Sequence, residues 1–248
     1  KAKIEAVGVP LKHWDINIYR GILTGYNEAF IIDGKKKDEL IAEDPKSAEI
    51  IRPILRGRDI KRYGYDFADL WLINSHNGIK EKGVKRIEIN DYPSIKKHLD
   101  QYYPQLEKRA DKGDTPYNLR NCAYMEDFSK QKIAWNRIAS EKLFSLVDEG
   151  IIIQDSMHFF TGNHLKFLCA ILNSKLFSWF MYLIIGDTAG GNAGNSDNIR
   201  NLTIPKPNRE LEIQIERLIK SEQYREIDKV VYKLYDISEQ EIAFIDAQ

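Results

Sequence analysis

Five cations crowd one short run of this chain: Arg52, Arg56, Arg58, Lys61 and Arg62 in RPILRGRDIKRY, with Gly57 between two of the arginines. That many charges cannot all be buried without partners. A guanidinium is a planar fork of donors that fits a phosphate or the O6/N7 edge of guanine. A glycine lets the backbone turn tightly between two such forks. The chemistry on offer is recognition of anions and base edges. A solvated, salt-bridged face is the plain alternative.

A second set consists of polar side chains beside aromatics. Asn74, His76 and Asn77 end an apolar run. Tyr117, Asn118, Arg120 and Asn121 share a polar stretch, and Asn136 and Arg137 follow Trp135. Asn pairs with adenine and Arg with guanine, while aromatics stack on or wedge between bases. Each of these sites also has an ordinary reading as loop capping. A third cue is RGILTGYNEAFIID. Gly21 and Gly25 sit four apart between apolar runs, followed by Tyr26-Asn27-Glu28. Either the connection bends so that Thr24, Tyr26 and Asn27 face a ligand, or it is a plain bulged hairpin.

Bond-making constellations are missing from the sequence. It has no Walker lysine pattern, no H-E-x-x-H and no G-x-S-x-G. The loop GDTAGGNAGN lacks the Lys-Ser/Thr that completes a phosphate cradle, and His76 has no second histidine at metal spacing. Asp44-Pro45-Lys46 resembles half of an acidic metal-nuclease pair, but any chain this charged contains such triplets. Cys122 and Cys169 fit no zinc or redox spacing, so a reducing, cytoplasmic setting is expected.

The chain has 248 residues, enough for one large domain or one domain with an appendage. With 43% hydrophobic and 30% charged residues it can bury a core and keep a polar surface. Net charge is zero, but residues 209–248 carry six basic and ten acidic side chains, so the rest is +4. Residues 46–62, with six basic and two acidic side chains, hold as much positive charge as that whole part. The acidic tail is expected to pack on protein. The longest apolar stretch, 165–185, is interrupted by Asn173-Ser174-Lys175. A membrane span needs about 18 uninterrupted apolar residues, so a buried helix from His164 to Ile185 is expected and no membrane partner. The chain begins at Lys1 without a signal pattern, which suggests a piece of a longer protein.

The elements that must position these side chains are legible as period and punctuation. INIYRGILT, EAFIID and DLWLINS read as strands. SAEIIRPIL reads as a short helix stopped near Pro53. DYPSIKKHLDQYYPQLEKRAD reads as helix, divided or kinked at Pro104. KIAWNRI and GIIIQDSMHFFTG read as strands, and GDTAGGNAGNSDN as a Gly/Asn-rich loop. Asn208 caps a helix, Ile227, Val230, Val231 and Leu234 follow helical spacing, and Ser238-Glu239-Gln240-Glu241 is a capping box.

Six segments in order then resemble one family: RGILTGYNEAFIID; AEDPKSAEIIRPILRGRDIKRYGYD; WLINSHNG; DYPSIKKHLDQYYPQLEKRADKGDTPYNLRNCAY; FLCAILNSKLFSWF with the glycine loop and IPKP; and EIDKVVYKLYDISEQEI. They look like the target-recognition domain of the TaqI-like C-terminal specificity family. Its members occur in bacterial type IIG restriction-modification enzymes and related adenine-N6 DNA methyltransferases. In contrast to related sequences, Arg200 has no aromatic neighbour after the loop. The resemblance implies an α+β fold with a twisted mixed or antiparallel sheet, a DNA target-recognition domain over residues 1–207 and a C-terminal helical segment over 208–248. It implies a double-stranded DNA partner and methyltransferase and nuclease domains in the same polypeptide. The NPPY and cofactor glycine motifs of the family's catalytic domain are absent from this sequence. This chain is therefore expected to be no enzyme by itself, with S-adenosylmethionine and Mg²⁺ bound only in the parent. Arg52, Arg56, Arg58, Lys61 and Arg62 are expected on phosphates. Thr24, Tyr26, Asn27, Asn74, His76, Asn77, Tyr117, Asn118, Arg120 and Asn136 are expected at or near bases. The alternative is a protein-interaction module without a DNA role.

Overall fold

The computed structural model describes residues 2–139, 141, 143–185 and 196–247. The glycine-rich run 186–195, expected as a loop, lies outside the described residues. Among those described, the strands in chain order are β1 (Val9–Pro10), β2 (Ile16–Arg20), β3 (Ile31–Asp33), β4 (Ile51–Leu55), β5 (Leu70–Ile73), β6 (Lys132–Asn136), β7 (Phe144–Val147), β8 (Ile152–Ile153), β9 (Met157–Gly162) and β10 (Thr203–Ile204). The α-helices are α1 (Ala2–Ala6), α2 (Asn27–Phe30), α3 (Gly34–Glu43), α4 (Pro93–Asp100), α5 (Tyr103–Lys108), α6 (Leu165–Asn173), α7 (Lys175–Ile185), α8 (Ser196–Arg200), α9 (Arg209–Lys220), α10 (Tyr224–Leu234) and α11 (Glu239–Asp246).

Two four-stranded sheets form the frame. One has the order β2-β9-β6-β7 and is antiparallel throughout. The other, β3-β5-β4-β8, is antiparallel except for the parallel pair β4·β8. Alternate residues of a strand face opposite sides, and β6 and β9 use both. Ile133, Trp135 and Phe160 enter one apolar cluster with α6, α7 and the C-terminal helices. Ala134, Met157 and Phe159 enter a second cluster with β3, β4, β5 and α4. The four-stranded antiparallel sheet therefore separates two cores; β1 and β10 pair antiparallel as a small third sheet, and the fold is α+β with antiparallel and mixed sheets.

The capping signals hold. The Asn208 side chain accepts from the Leu211 N–H at 2.8 Å, and Ser238 and Glu241 form the reciprocal box. Ile215, Ile227, Val231 and Tyr235 join the cluster of α6 and α7. Pro104 lies in the first turn of α5, where the helix divides from α4.

Several elements differ from expectation. SAEIIRPIL is not a helix. A 3-10 turn, Pro45–Ile50, is capped by Asp44, and β4 follows. Ile51 and Arg52 gain antiparallel partners in Ile73 and Leu72, which outweighs local helix preference. β8 pairs with Ile54 and Leu55 only, so Pro53 stands where that neighbour makes no ladder. EAFIID is one helical turn before a three-residue strand. The long helix breaks at Ser174, whose backbone is extended and whose hydroxyl accepts from Phe177 N–H at 3.3 Å. Such a side chain competes for backbone donors and starts a new helix. The segment GIIIQDSMHFFTG, residues 150–162, holds two strands, β8 and β9. β7 and α3 were not expected from the sequence pattern.

Lys132 at the start of β6 is fully buried, donating from Nζ to the carbonyls of Ile151 at 3.0 Å and Asp148 at 3.3 Å. Burial pushes its pKa from 10.5 down to about 8. Between those values the unfolded chain binds more protons at this site, so its contribution to stability rises with pH across that window and is flat below it. Lys132→Met should remove a rise of at most about 1.4 kcal/mol per pH unit. Urea melts of both proteins from about pH 7.5 to 10 measure the difference. Identical slopes would show that the lysine is not held in this way.

Candidate nucleic-acid interface

Downstream of β4 the chain turns through RGRD. Arg56 donates to Asp59 from Nε at 3.0 Å and Nη2 at 2.8 Å, and its backbone N–H donates to the same carboxylate at 2.8 Å. Burial of Asp59 opposes ionisation, yet these Arg56 bonds hold its carboxyl below the ordinary value. This pair braces the turn and leaves Arg58 facing out. Gly57 packs so closely on β6 that a Cβ there would lie 2.2 Å from Asn136 Oδ1. Asn136 Nδ2 donates to the Gly57 carbonyl at 2.9 Å.

Between this turn, α2 and the end of β6 lies an open groove of about 860 Å³. Asn27 and Glu28 line one side, Arg56, Gly57 and Arg58 another, and Asn136, Arg137 and Ile138 a third, with Gln154 and Ser156 beside them. Arg58 is exposed and makes no side-chain hydrogen bond or ion pair among the described residues. Arg137 is held at both ends: its backbone N–H donates to Ser156 O at 3.1 Å, and one guanidinium nitrogen, Nη1, donates to Asp155 O at 3.2 Å. Ile138 is 70% exposed. The groove thus offers amide, guanidinium, carboxylate and hydroxyl groups together with an exposed alkyl side chain. These are the functional groups that read base edges and thymine methyls.

Of the five expected phosphate residues, only Arg56 and Arg58 line the groove. Arg52 instead donates to the carbonyls of Ala48, Glu49 and Ile51, closing the 3-10 turn. Lys61 pairs with Asp66, and Arg62 with Glu141 at 2.9 Å. Both pairs are exposed, and such pairs are worth little in water, so either cation can exchange partners.

The expected base readers divide sharply. Asn27 and Asn136 reach the groove. Thr24, Asn77 and Asn118 do not present their side chains; they are buried, and their groups are satisfied internally. Asn118 Nδ2 donates to Ile87 O at 2.9 Å, and its Oδ1 accepts from Thr115 at 2.6 Å. Asn77 Oδ1 accepts from Asp114 N–H at 2.8 Å while Nδ2 donates to Asp114 and Asn121. These asparagines hold the loop 111–121 against the end of β5. Asn74 is half-buried, with Nδ2 3.9 Å from Met125 Sδ. His76 Nδ1 accepts from Gly78 N–H at 3.1 Å, and burial, then the Arg52 charge, pushes its pKa down. Tyr117 donates to Asp100 at 2.5 Å, Arg120 pairs with Asp111 at 3.1 Å, and Tyr26 lies 6.0 Å from Tyr102, ring to ring.

Sequence reasoning missed Glu28, Gln154 and Ser156. Their only sequence signal was position, beside a turn or between strands. It also missed Arg109, which is 7% exposed and donates to the carbonyls of Thr24, Asp111, Pro116 and Asn118 while lying 4.5 Å over the Phe30 ring. Among the described residues no cluster of His, Cys, Asp and Glu could hold a metal ion, and no helix is long and apolar enough to cross a membrane.

No curated protein matches the chain. Among the solved structures that share its fold are two restriction enzymes. The type IIL restriction-modification enzyme MmeI, solved in complex with DNA, superposes with a TM-score of 0.66 at 13% identity over 97% of this chain and 36% of its own. The type IIG restriction endonuclease BpuSI gives 0.57 at 14% identity over 94% and 31%. The chain thus spans about a third of each. The TaqI-like C-terminal specificity domain matches residues 52–191, which include most of β4, the RGRD turn, β6 and the groove wall at Asn136. That match covers more than half of the sequence, and the chain belongs to the TaqI-like C-terminal specificity domain family.

Proposed function

We propose that this chain recognises a specific sequence in duplex DNA through the major groove, as the specificity part of a longer bacterial, cytoplasmic restriction-modification polypeptide. The observation that carries the reading is the open groove in which Asn27, Arg58, Asn136 and Arg137 meet. Family membership supports it. In this proposal residues 1–207 form the recognition body and residues 208–248 a helical segment packed on it. An adenine-N6 methyltransferase, acting on a target base extruded from the duplex, and a nuclease belong to other domains. S-adenosylmethionine and Mg²⁺ belong with those domains, and this chain supplies grip and register. Arg58, Lys61 and Arg62 face phosphates; Asn27, Asn136 and Arg137 face base edges.

The test is selection of a randomised duplex library on the 248-residue chain at low and moderate salt, followed by sequencing. One short motif that survives the higher salt is the expected result. Absence of any binding at low salt would overturn the reading in favour of a protein-interaction module. Arg58→Ala should weaken binding about equally for all sequences and lower the slope of log K against log salt by about 1. A change confined to one base position would instead make Arg58 a base reader.

A further inference from the structure

The side of the groove formed by α2 carries more chemical detail than its exposure suggests. The Thr24 hydroxyl is buried, the residue 1% exposed, between two partners. It accepts from the Tyr26 N–H at 3.2 Å and lies 2.6 Å from Asn27 Oδ1. A hydroxyl has one proton to donate. The Tyr26 N–H takes one lone pair of the oxygen, and among the described residues Asn27 is the one side chain in reach that can accept the buried proton, so the atom receiving it is the amide oxygen. The network therefore fixes which way the Asn27 amide points. Nδ2 is the end left free: it has no protein partner among the described residues, and Asn27 lines the groove. Arg109 holds the arrangement from behind by donating to the Thr24 carbonyl.

An asparagine reads adenine by using both ends of its amide, Oδ1 accepting from N6 and Nδ2 donating to N7. In this protein the oxygen end is held by Thr24. Resting on the DNA-recognition function, we propose that Asn27 acts as a donor that reads an acceptor edge in the major groove, guanine O6/N7 or thymine O4, and disfavours adenine, whose N7 can accept but whose N6 amino group then faces a donor with no acceptor. Thr24 is the positioning residue that imposes this choice without touching DNA.

The experiment is library selection on the 248-residue chain with Asn27→Ala, Thr24→Val, Thr24→Ser and the unaltered protein in parallel. The unaltered protein yields a motif, and a failure at that step overturns the DNA reading itself. Asn27→Ala identifies the base position that Asn27 reads, where the motif should hold guanine or thymine. Thr24→Val keeps the side-chain shape and removes the donor. It should raise the enrichment of adenine at that position about tenfold. Thr24→Ser restores the hydroxyl and the original preference, which a purely packing role would not do. Should Thr24→Val fail to fold, Asn27→Asp serves at the groove surface: an acceptor-only carboxylate should switch the preference to the amino-bearing cytosine or adenine. Adenine as the base lost in Asn27→Ala, or an unchanged preference in the folded Thr24→Val or in Asn27→Asp, overturns the proposal.

Discussion

Arg109→Ala should cost about 3–5 kcal/mol of folding stability, since buried networks are strongly cooperative and their loss lies at the high end of single substitutions. The guanidinium bridges separate stretches of chain by donating to four carbonyls, at residues 24, 111, 116 and 118. A buried carbonyl left without a donor costs about 1–3 kcal/mol, and the contact over the Phe30 ring at 4.5 Å is lost as well. Burial pushes the Arg109 pKa down to about 10, so the cation persists at neutral pH and the bonds are charge-assisted. Arg109→Lys keeps the charge but cannot reproduce a planar fork directed at several acceptors, and it should recover less than half of the loss. Urea midpoints at constant m value give both numbers. A loss under about 1 kcal/mol for the alanine variant would mean that water serves these carbonyls equally well.

The second large effect is at Gly21. An added Cβ would lie 2.0 Å from Gln154 O, 2.3 Å from Gln154 C and 2.6 Å from Ile153 O. All three are backbone atoms, so no side chain can swing aside. The same crossing is stitched by Gly21 N–H to Met157 O at 2.9 Å and Ile22 N–H to Ile153 O at 2.7 Å. At this point the chain leaves β2 in the antiparallel sheet and reaches β8 in the mixed one, so the clash would pry the two sheets apart. Gly21→Ala should cost about 3 kcal/mol or more, or prevent folding, as overpacking against rigid backbone does. Gly25 is the control. Its φ is +72°, and its Cβ would meet Asp111 Cβ at 3.2 Å. Gly25→Ala should therefore cost about 1 kcal/mol, the ordinary penalty of a left-handed residue. Parallel denaturation curves rank the two variants. A larger loss at Gly25 would show that backbone contact at Gly21 is not what limits the crossing.

That pair of glycines marks the limit of what spacing conveys. Both invite a reading as turn residues, and only Gly25 has the left-handed backbone of one; Gly21 exists for a contact with residues more than a hundred positions away. The caps at Asn208 and Ser238, the break at Pro104 and the strands β6 and β9 were legible because each depends on neighbours within a few residues. The family, too, was legible, from six segments in order. The tertiary structure alone decided that IRPIL is a strand, since its partners in β5 lie some twenty residues downstream. It alone divided the polar candidates. Asn27, Asn118 and Asn136 have the same side chain, yet Asn118 is 1% exposed and saturated by Thr115 and Ile87, while Asn27 and Asn136 line the groove. Sequence determined which groups able to read DNA are present. Folding determined which ends of them remain free, because one end of an amide is available to a ligand only where no backbone group or hydroxyl has already claimed it, as Gly57 claims Nδ2 of Asn136 and Thr24 claims Oδ1 of Asn27.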